Sequence, residues 1–141
     1  MLLTGEFRHT VDSKNRIFIP AKMREELGES FMIVLDPHEH CLQIHSLSGW
    51  EEYIAPIKEL PRVEKARALR ALHSTASVVT PDSQGRVLLP AQLLEIASIE
   101  KSAVIVGCES YAEIWCEQIY DEKFGLTDYD SISEMLRGYG L

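Results

Sequence analysis

This 141-residue chain lacks the sequence features of several common protein classes. Its apolar runs fall far short of the ~20 residues that a membrane-spanning helix needs, and Glu6 places an acid too early for a signal peptide. Its only cysteines, Cys41, Cys108 and Cys116, cannot all pair internally and show no C-x-x-C spacing. We therefore expect reduced thiols, a cytoplasmic location and no membrane partner.

Sequence motifs of catalysis and nucleotide binding are also missing. There is no glycine-rich phosphate loop, nucleophile elbow or paired-carboxylate signature. We therefore expect no enzyme activity, no cofactor and no small-molecule substrate. His38, His40, Cys41 and His45 are residue types that bind zinc, but their spacing matches no standard zinc pattern. We favour a metal-free loop and strand here, and a metal-dependent enzyme is the alternative from another class of protein.

Positive charge is scarce overall but concentrated in two segments. The formal net charge of −8 argues, by itself, against nucleic-acid binding. Residues 1–24 and 62–70 nevertheless carry +3 each, whereas residues 87–141 carry −7. A local basic patch can bind phosphate while acidic surface elsewhere weakens non-specific binding.

One short segment occurs twice, at an offset of 70 residues. It runs TVDSKNRIFIPA at residues 10–21 and TPDSQGRVLLPA at residues 80–91. Thr, Asp, Ser, Arg, Pro and Ala recur at matching positions, and the residues between Arg and Pro are apolar both times. We interpret this as an internal duplication.

Each copy has the chemistry of a tight turn between two strands. Asp12 and Asp82 can accept backbone hydrogen bonds, and Asn15 and Gly85 tolerate a positive φ. The apolar run that follows predicts a strand, which the proline ends while opening a short helix. The turn therefore presents an arginine four residues after its aspartate.

The hydrophobic pattern predicts matching elements in the two halves. We expect strands at 5–10, 16–19, 31–35, 41–45, 77–80, 86–89, 103–107 and 111–116. Helices are expected at 20–27, 47–57, 62–73, 91–97 and 117–124, with a short one at 131–137. These elements predict a first repeat at 1–57, a connecting helix at 58–73, a second repeat at 74–125 and a C-terminal tail at 126–141.

The doubled Asp-x-x-x-Arg-x-x-x-Pro motif, with Phe7-Arg8-His9 before its first copy, resembles the MraZ family of bacterial regulators. It is also similar to the wider AbrB-like class of swapped-hairpin DNA-binding domains. Asn15 departs from the glycine that is usual at its position. The resemblance covers nearly the whole chain and implies an α+β, β-rich fold. In that fold the two repeats pair within one chain as a pseudo-dimeric, double-psi-like barrel with short flanking helices.

The resemblance also implies a function, namely sequence-specific binding of double-stranded DNA and regulation of transcription. The expected targets are short direct repeats upstream of the division and cell-wall gene cluster, including the protein's own gene. The expected assembly is a ring-like homo-oligomer associated with the nucleoid. The alternative among binding proteins is an AbrB-like antitoxin whose acidic tail neutralises a toxin; a single repeat with a long disordered tail would favour it.

The arginines of the two turns are the main candidates for DNA contact. Arg16 and Arg86 match the DNA-facing positions of the family and suit either guanine edges or phosphates. The alternative is a structural ion pair in which Asp12 and Asp82 stiffen the turns. Both roles are compatible, so we assign the aspartates to positioning the arginines.

Four further residues belong to the predicted site. Asn15 and Gly85 are expected to shape the turns. Lys14, within the first turn, is expected to contact a phosphate unless it is only a solvated lysine, and Arg8 is expected to reach the DNA backbone or another subunit. The basic helix at 62–70 is either a second phosphate surface or a solvated helix face.

Overall fold

Strands and helices alternate through the computed structural model, which describes the backbone of residues 1–141 and all side chains outside 126–128. The strands are β1 (Glu6–Thr10), β2 (Arg16–Phe18), β3 (Phe31–Leu35), β4 (Leu42–Ser46), β5 (Ser77–Val79), β6 (Arg86–Leu88), β7 (Ser102–Gly107) and β8 (Ala112–Cys116). The helices are α1 (Ala21–Leu27), α2 (Leu47–Lys58), α3 (Arg62–His73), α4 (Ala91–Ile96), α5 (Glu117–Phe124) and α6 (Leu126–Gly138).

The predicted elements are therefore present within one or two residues, except at the C-terminus. There the short helix expected at 131–137 begins earlier, and α6 continues almost directly from α5. Ser46 caps the N-terminus of α2, since its Oγ accepts the Gly49 N–H at 2.9 Å. No helix in the described part of the chain is both long and apolar enough to cross a bilayer.

The two repeats exchange strands. Strands β1 and β2 follow each other around the first turn but pair with the second repeat, β1 with β7 and β2 with β6. Strand β5 of the second repeat pairs in return with β3 of the first. This exchange agrees with the swapped-hairpin fold that the resemblance implied, because β1 and β2 each form their ladder with a strand of the other repeat.

The resulting architecture is a six-stranded sheet, in the order β1-β7-β8-β4-β3-β5, and a separate two-stranded ribbon of β2 and β6. Both contribute to one core, in which Ile33 and Ile105 of the sheet pack with Ile17 and Val87 of the ribbon. The predicted α+β, β-rich fold with two repeats interlocked in one chain is confirmed. Burying both repeats in a single core makes neither half independent of the other.

Helices cover the opposite face of the six-stranded sheet. Trp50 and Ile54 of α2 pack on Met32 and Val34, and Leu69 and Leu72 of α3 join this cluster. In the second repeat, α5 packs beside Trp115 through Ile119 and Tyr120. Only the C-terminal half of α3 packs on the cluster in this way, since Val63 near the start of the helix remains 67% exposed.

Candidate nucleic-acid interface

Each Asp-x-x-x-Arg segment folds into a turn that its aspartate organises. In the first turn, the Asp12 Oδ1 accepts the backbone N–H groups of Lys14 and Arg16, both at 2.9 Å. In the second, the Asp82 Oδ1 accepts those of Gln84 and Arg86 at 2.9 and 3.0 Å. The aspartate carboxylates therefore form Asx-type turns, as the sequence predicted.

The fourth residue of each turn, three positions after the aspartate, has a backbone conformation that its residue type tolerates. Asn15 has φ of 60° and Gly85 has φ of 81°. Both lie in the left-handed region, where glycine has no penalty and asparagine a small one. The Asn15 carbonyl accepts the Leu89 N–H at 2.8 Å, and the Gly85 carbonyl accepts the Ile19 N–H at 3.0 Å. Each turn is thus tied to the strand end of the other repeat.

The second oxygen of each aspartate holds the arginine side chain. The Arg16 Nε donates to the Asp12 Oδ2 at 2.7 Å, and the Arg86 Nε donates to the Asp82 Oδ2 at 2.9 Å. Among the described side chains, the Nη groups of both arginines make no hydrogen bond within the protein. Each guanidinium is therefore fixed through Nε and keeps its Nη donors available for a ligand.

Hydrogen bonding keeps both aspartates ionised. The pKa of Asp12 lies below its ordinary value because the Arg16 backbone N–H, the Arg16 side chain and the Lys14 N–H all bond to the charged form. The pKa of Asp82 is lowered by the Arg86 backbone N–H first, with the Gln84 N–H and the Arg86 side chain adding to it. At neutral pH both carboxylates are anions that orient their arginines.

The two turns meet on one surface. Strands β2 and β6 pair antiparallel, with Arg16 opposite Leu88, Ile17 opposite Val87 and Phe18 opposite Arg86. The central pair points into the core, so the outer face carries the other four side chains, with the arginines on one diagonal. The Arg86 Nη1 also lies 3.9 Å from the Asp12 Oδ2, so Asp12 serves both arginines. A two-stranded ribbon of this kind is narrow enough to enter the major groove of B-DNA.

The shared role of Asp12 gives a testable asymmetry. Asn at either aspartate keeps an oxygen for the backbone N–H groups but loses the anion that orients arginine. We expect Asp12→Asn to lower the ratio of specific to non-specific DNA affinity by about tenfold, and Asp82→Asn by only a few-fold, because Asp12 faces two guanidiniums. Competition binding against a scrambled duplex measures this ratio. Equal effects of the two substitutions would show that the Asp12–Arg86 contact has no role.

The remaining predicted residues separate into two groups. Lys14 is exposed on the first turn, close in sequence to Arg16. Arg8 is not brought to the turns: its Nη groups donate to Asp121 of α5 at 2.8 and 3.1 Å, and it also pairs with Glu6 and Glu117. Three carboxylates around one exposed guanidinium leave little attraction for phosphate, so we leave Arg8 out of the interface proposed below.

The basic helix α3 lies against α2 and the face of the sheet opposite the ribbon. Leu69 and Leu72 pack inward, whereas Arg62, Arg67 and Arg70 are exposed. These cations therefore lie apart from the two turns, and the fold gives no reason to group them with Arg16 and Arg86.

The histidines and cysteine weighed as zinc ligands do not converge. His38 and His40 are exposed, and the His40 Nε2 lies 3.0 Å from the Ser98 Oγ. His45 is buried among aromatic rings instead. The Cys41 thiol lies near the carboxylates of Asp36 and Glu113, but burial and these anions raise its pKa far above the ordinary value. A thiol held protonated is a poor metal ligand.

Sequence reasoning missed one cation at the interface. Arg24 of α1 extends to the second turn, and its guanidinium lies against Gly85. The available signal was the repeat itself, since Arg24 aligns with Leu94 at the same offset of 70 residues. A charged residue in one repeat that aligns with an apolar residue in the other indicates that the two positions have different environments.

Strand exchange between two repeats, each with an aspartate-held arginine turn, defines a protein class with two interlocked α+β repeats in one chain. A family model described as "MraZ protein, putative antitoxin-like" matches residues 2–71 and again residues 72–128. The chain belongs to the MraZ family.

Curated relatives match along nearly the full length. A protein of a Thermoanaerobacter species is 40% identical over 139 residues, covering 96% of each chain. A Clostridium tetani protein is 40% identical over 143 residues, covering 99% of this chain and 100% of its own. A Carboxydothermus hydrogenoformans protein is 43% identical over 139 residues, covering 96% of each chain. All three carry the name transcriptional regulator MraZ.

Proposed function

We propose that this chain is a DNA-binding transcriptional regulator that inserts the β2–β6 ribbon into the major groove. The observation that carries the proposal is the pair of arginines, Arg16 and Arg86, held by carboxylates on one exposed two-stranded surface with their Nη donors unused. Arg with two free donors matches the O6 and N7 acceptors of guanine. The name transcriptional regulator on relatives of about 40% identity supports the same function.

The ribbon also explains how an acidic protein binds a polyanion. Asp12 and Asp82 are the carboxylates nearest the arginines, and both are engaged by hydrogen bonds from their own turns. Lys14 lies in the first turn and suits a phosphate contact. Much of the excess negative charge belongs to residues 87–141, which include the helices α5 and α6. We propose that these two helices lie away from the DNA and that their acidic side chains suppress non-specific binding.

The proposed targets are short direct repeats upstream of the division and cell-wall gene cluster, including the chain's own gene. One ribbon per chain contacts few base pairs, so a single chain would bind weakly. A ring-like homo-oligomer that engages several repeats at once would raise the overall affinity by orders of magnitude. Apolar side chains exposed on α6, among them Tyr129 at 72% and Met135 at 52%, are available for contacts between copies.

The antitoxin alternative has weaker support. It called for a single repeat followed by a long disordered acidic tail. Here two repeats exchange strands, and residues beyond the second repeat form α6. The description "antitoxin-like" belongs to the family model as a whole.

Fluorescence anisotropy with a labelled duplex from upstream of the chain's own gene tests the proposal. Arg16→Ala and Arg86→Ala are each expected to weaken specific binding by about 10- to 100-fold, because a bidentate arginine–guanine pair contributes roughly 1–3 kcal/mol of discrimination. Circular dichroism and sedimentation velocity check that fold and assembly are unchanged. Equal affinity of wild type and both variants would reject the ribbon as the DNA-reading element.

A further inference from the structure

The two turns of the ribbon do not carry the same side chains. The first turn has Lys14 beside Arg16, whereas the second has Gln84 at the position equivalent to Lys14. If cations were supplied only by the turns, the second would have one fewer than the first. A residue from outside the second turn makes up this difference.

That residue is Arg24, on helix α1 of the first repeat. A β-carbon built on Gly85 would lie 2.8 Å from the Arg24 Cζ and 2.9 Å from its Nη2, so the guanidinium rests directly on the second turn. Gly85 is buried for this reason, whereas Asn15 at the equivalent place in the first turn is only half-buried. Glycine in the second turn suits the φ of 81° and leaves room for the Arg24 guanidinium, which a larger side chain would displace.

Three contacts hold the Arg24 side chain in this position. Its Nε donates to the Ile19 carbonyl at 2.9 Å, its Cζ lies 5.5 Å from the Phe18 ring centre, and its plane covers Gly85. Arg24 has no ion pair and no Nη hydrogen bond among the side chains that the structure describes. The cation is thus ordered before any ligand arrives, with its outer donors unused.

The repeat shows that this cation is an addition to the second turn. The residue equivalent to Arg24 in the second repeat is Leu94, which is 6% exposed and belongs to the main core. Each turn consequently has two cations. At the first, Lys14 and Arg16 both belong to the turn segment, whereas at the second Arg86 belongs to the turn segment and Arg24 comes from α1.

We propose that Arg24 is a phosphate-binding residue of the DNA interface, supplying to the second turn the backbone contact that Lys14 supplies to the first. This inference rests on the proposed function. The surface depression beside Arg24 is lined by Ser30 and Thr80, whose hydroxyls lie 2.8 Å apart, and also by Glu29 and Asp82. The exposed Glu29 repels phosphate, so the phosphate approaches Arg24 from the turn and not from the Glu29 end of the depression.

A salt titration of DNA binding distinguishes a phosphate contact from a structural role. Each phosphate contact contributes about 0.9 to the slope of log affinity against log salt concentration. Arg24→Gln is expected to weaken binding of the labelled upstream duplex by about 5- to 10-fold at 0.15 M salt and to reduce the slope by about 1. Arg24→Lys, which keeps the charge, is expected to retain the wild-type slope.

Two further variants sharpen the result. The double variant Arg24→Gln/Gln84→Lys gives the second turn the lysine of the first, and it is expected to recover the wild-type slope. Lys58→Gln removes one charge from the end of α2, which packs on the face of the sheet away from the ribbon, and should leave the slope unchanged. Thermal unfolding checks that each variant is folded.

An unchanged slope in Arg24→Gln would overturn the inference, even if the affinity fell, because that is the behaviour of a purely structural residue. If Arg86→Ala loses binding while Arg24→Gln keeps the wild-type slope, only the role of Arg24 fails. If wild type binds the upstream duplex no better than a scrambled one, the proposed function itself fails.

Discussion

Replacing both arginines of the ribbon, in the variant Arg16→Ala/Arg86→Ala, is expected to lower specific DNA affinity by at least about 100-fold. In the proposed complex each guanidinium contacts a base edge, and each such contact contributes roughly 1–3 kcal/mol. In an assembly of several chains the loss recurs in every subunit, so the measured effect should exceed that for one ribbon. Fluorescence anisotropy on the upstream duplex, with a scrambled duplex beside it, measures the loss.

The two single substitutions should not be equivalent. In Arg16→Ala, the Asp12 Oδ2 loses the partner now at 2.7 Å and becomes free to draw in the Arg86 Nη1, now at 3.9 Å. This substitution therefore disturbs both arginines, whereas Arg86→Ala leaves the Arg16–Asp12 pair intact. We expect a larger loss for Arg16→Ala, and a double-mutant cycle with non-zero coupling.

Lys58→Gln is the control for general charge loss, because it removes a cation from the opposite side of the molecule. The arginine variants should unfold at temperatures near that of wild type, since their side chains are about 30% exposed and make surface ion pairs. If the effects of Arg16→Ala and Arg86→Ala on affinity were additive, Asp12 would not couple the two arginines. A double variant that binds like wild type would exclude the ribbon altogether.

The local structure of the interface was predictable because its causes are local. Asp12 organises a turn whose other members are within four residues, and the same holds for Asp82. The repeat doubled the signal, so strands, turns and helix starts could be placed from composition and spacing alone. The two arginines lie in the same short segments, and the resemblance to the family marked them as candidates for DNA contact.

Pairings across the chain could not be predicted in this way. Arg24 and Gly85 are 61 positions apart in the sequence, and Arg8 and Asp121 are 113 apart. From the sequence, Arg8 and Lys14 were both predicted to contact DNA, because both are cations near the first turn. Only the exchange of strands, which puts β1 beside β7 and near α5, shows that Arg8 faces carboxylates.

The surroundings of His45 also depend on contacts between distant parts of the chain, and they predict a large effect of pH on stability. The residue is 1% exposed. Its ring stacks on Tyr111 at 5.3 Å, lies tilted against Tyr53 at 4.8 Å and packs edge-to-face with Trp50. The Gln43 amide donates to the Asp36 Oδ2 at 2.8 Å, so its oxygen accepts from the His45 Nε2 at 2.9 Å. The neutral Nε2–H form of the imidazole therefore fits this site.

Burial lowers the pKa of His45 to about 4, against an ordinary value of 6.5, although the nearby Asp36 carboxylate acts in the opposite direction. Between these values the unfolded chain binds a proton that the folded chain excludes. The contribution of His45 to the free energy of unfolding should therefore be greatest above pH 6.5, and the free energy should fall by about 3 kcal/mol as the pH drops to 4. Urea unfolding at a series of pH values measures this change.

The comparison with His45→Gln isolates the histidine. Glutamine can still donate to the Gln43 oxygen but does not titrate, so the variant should lose much less stability between pH 6.5 and 4.5 than wild type, whatever its stability at pH 7. Asp12 and Asp82 also have lowered pKa values, and their contribution declines only at more acidic pH, equally in both proteins. Parallel pH profiles for wild type and His45→Gln would mean that the protonated imidazole is accommodated in the folded state, with Glu52 and the cavity of about 350 Å³ beside the ring as the place where its charge is solvated.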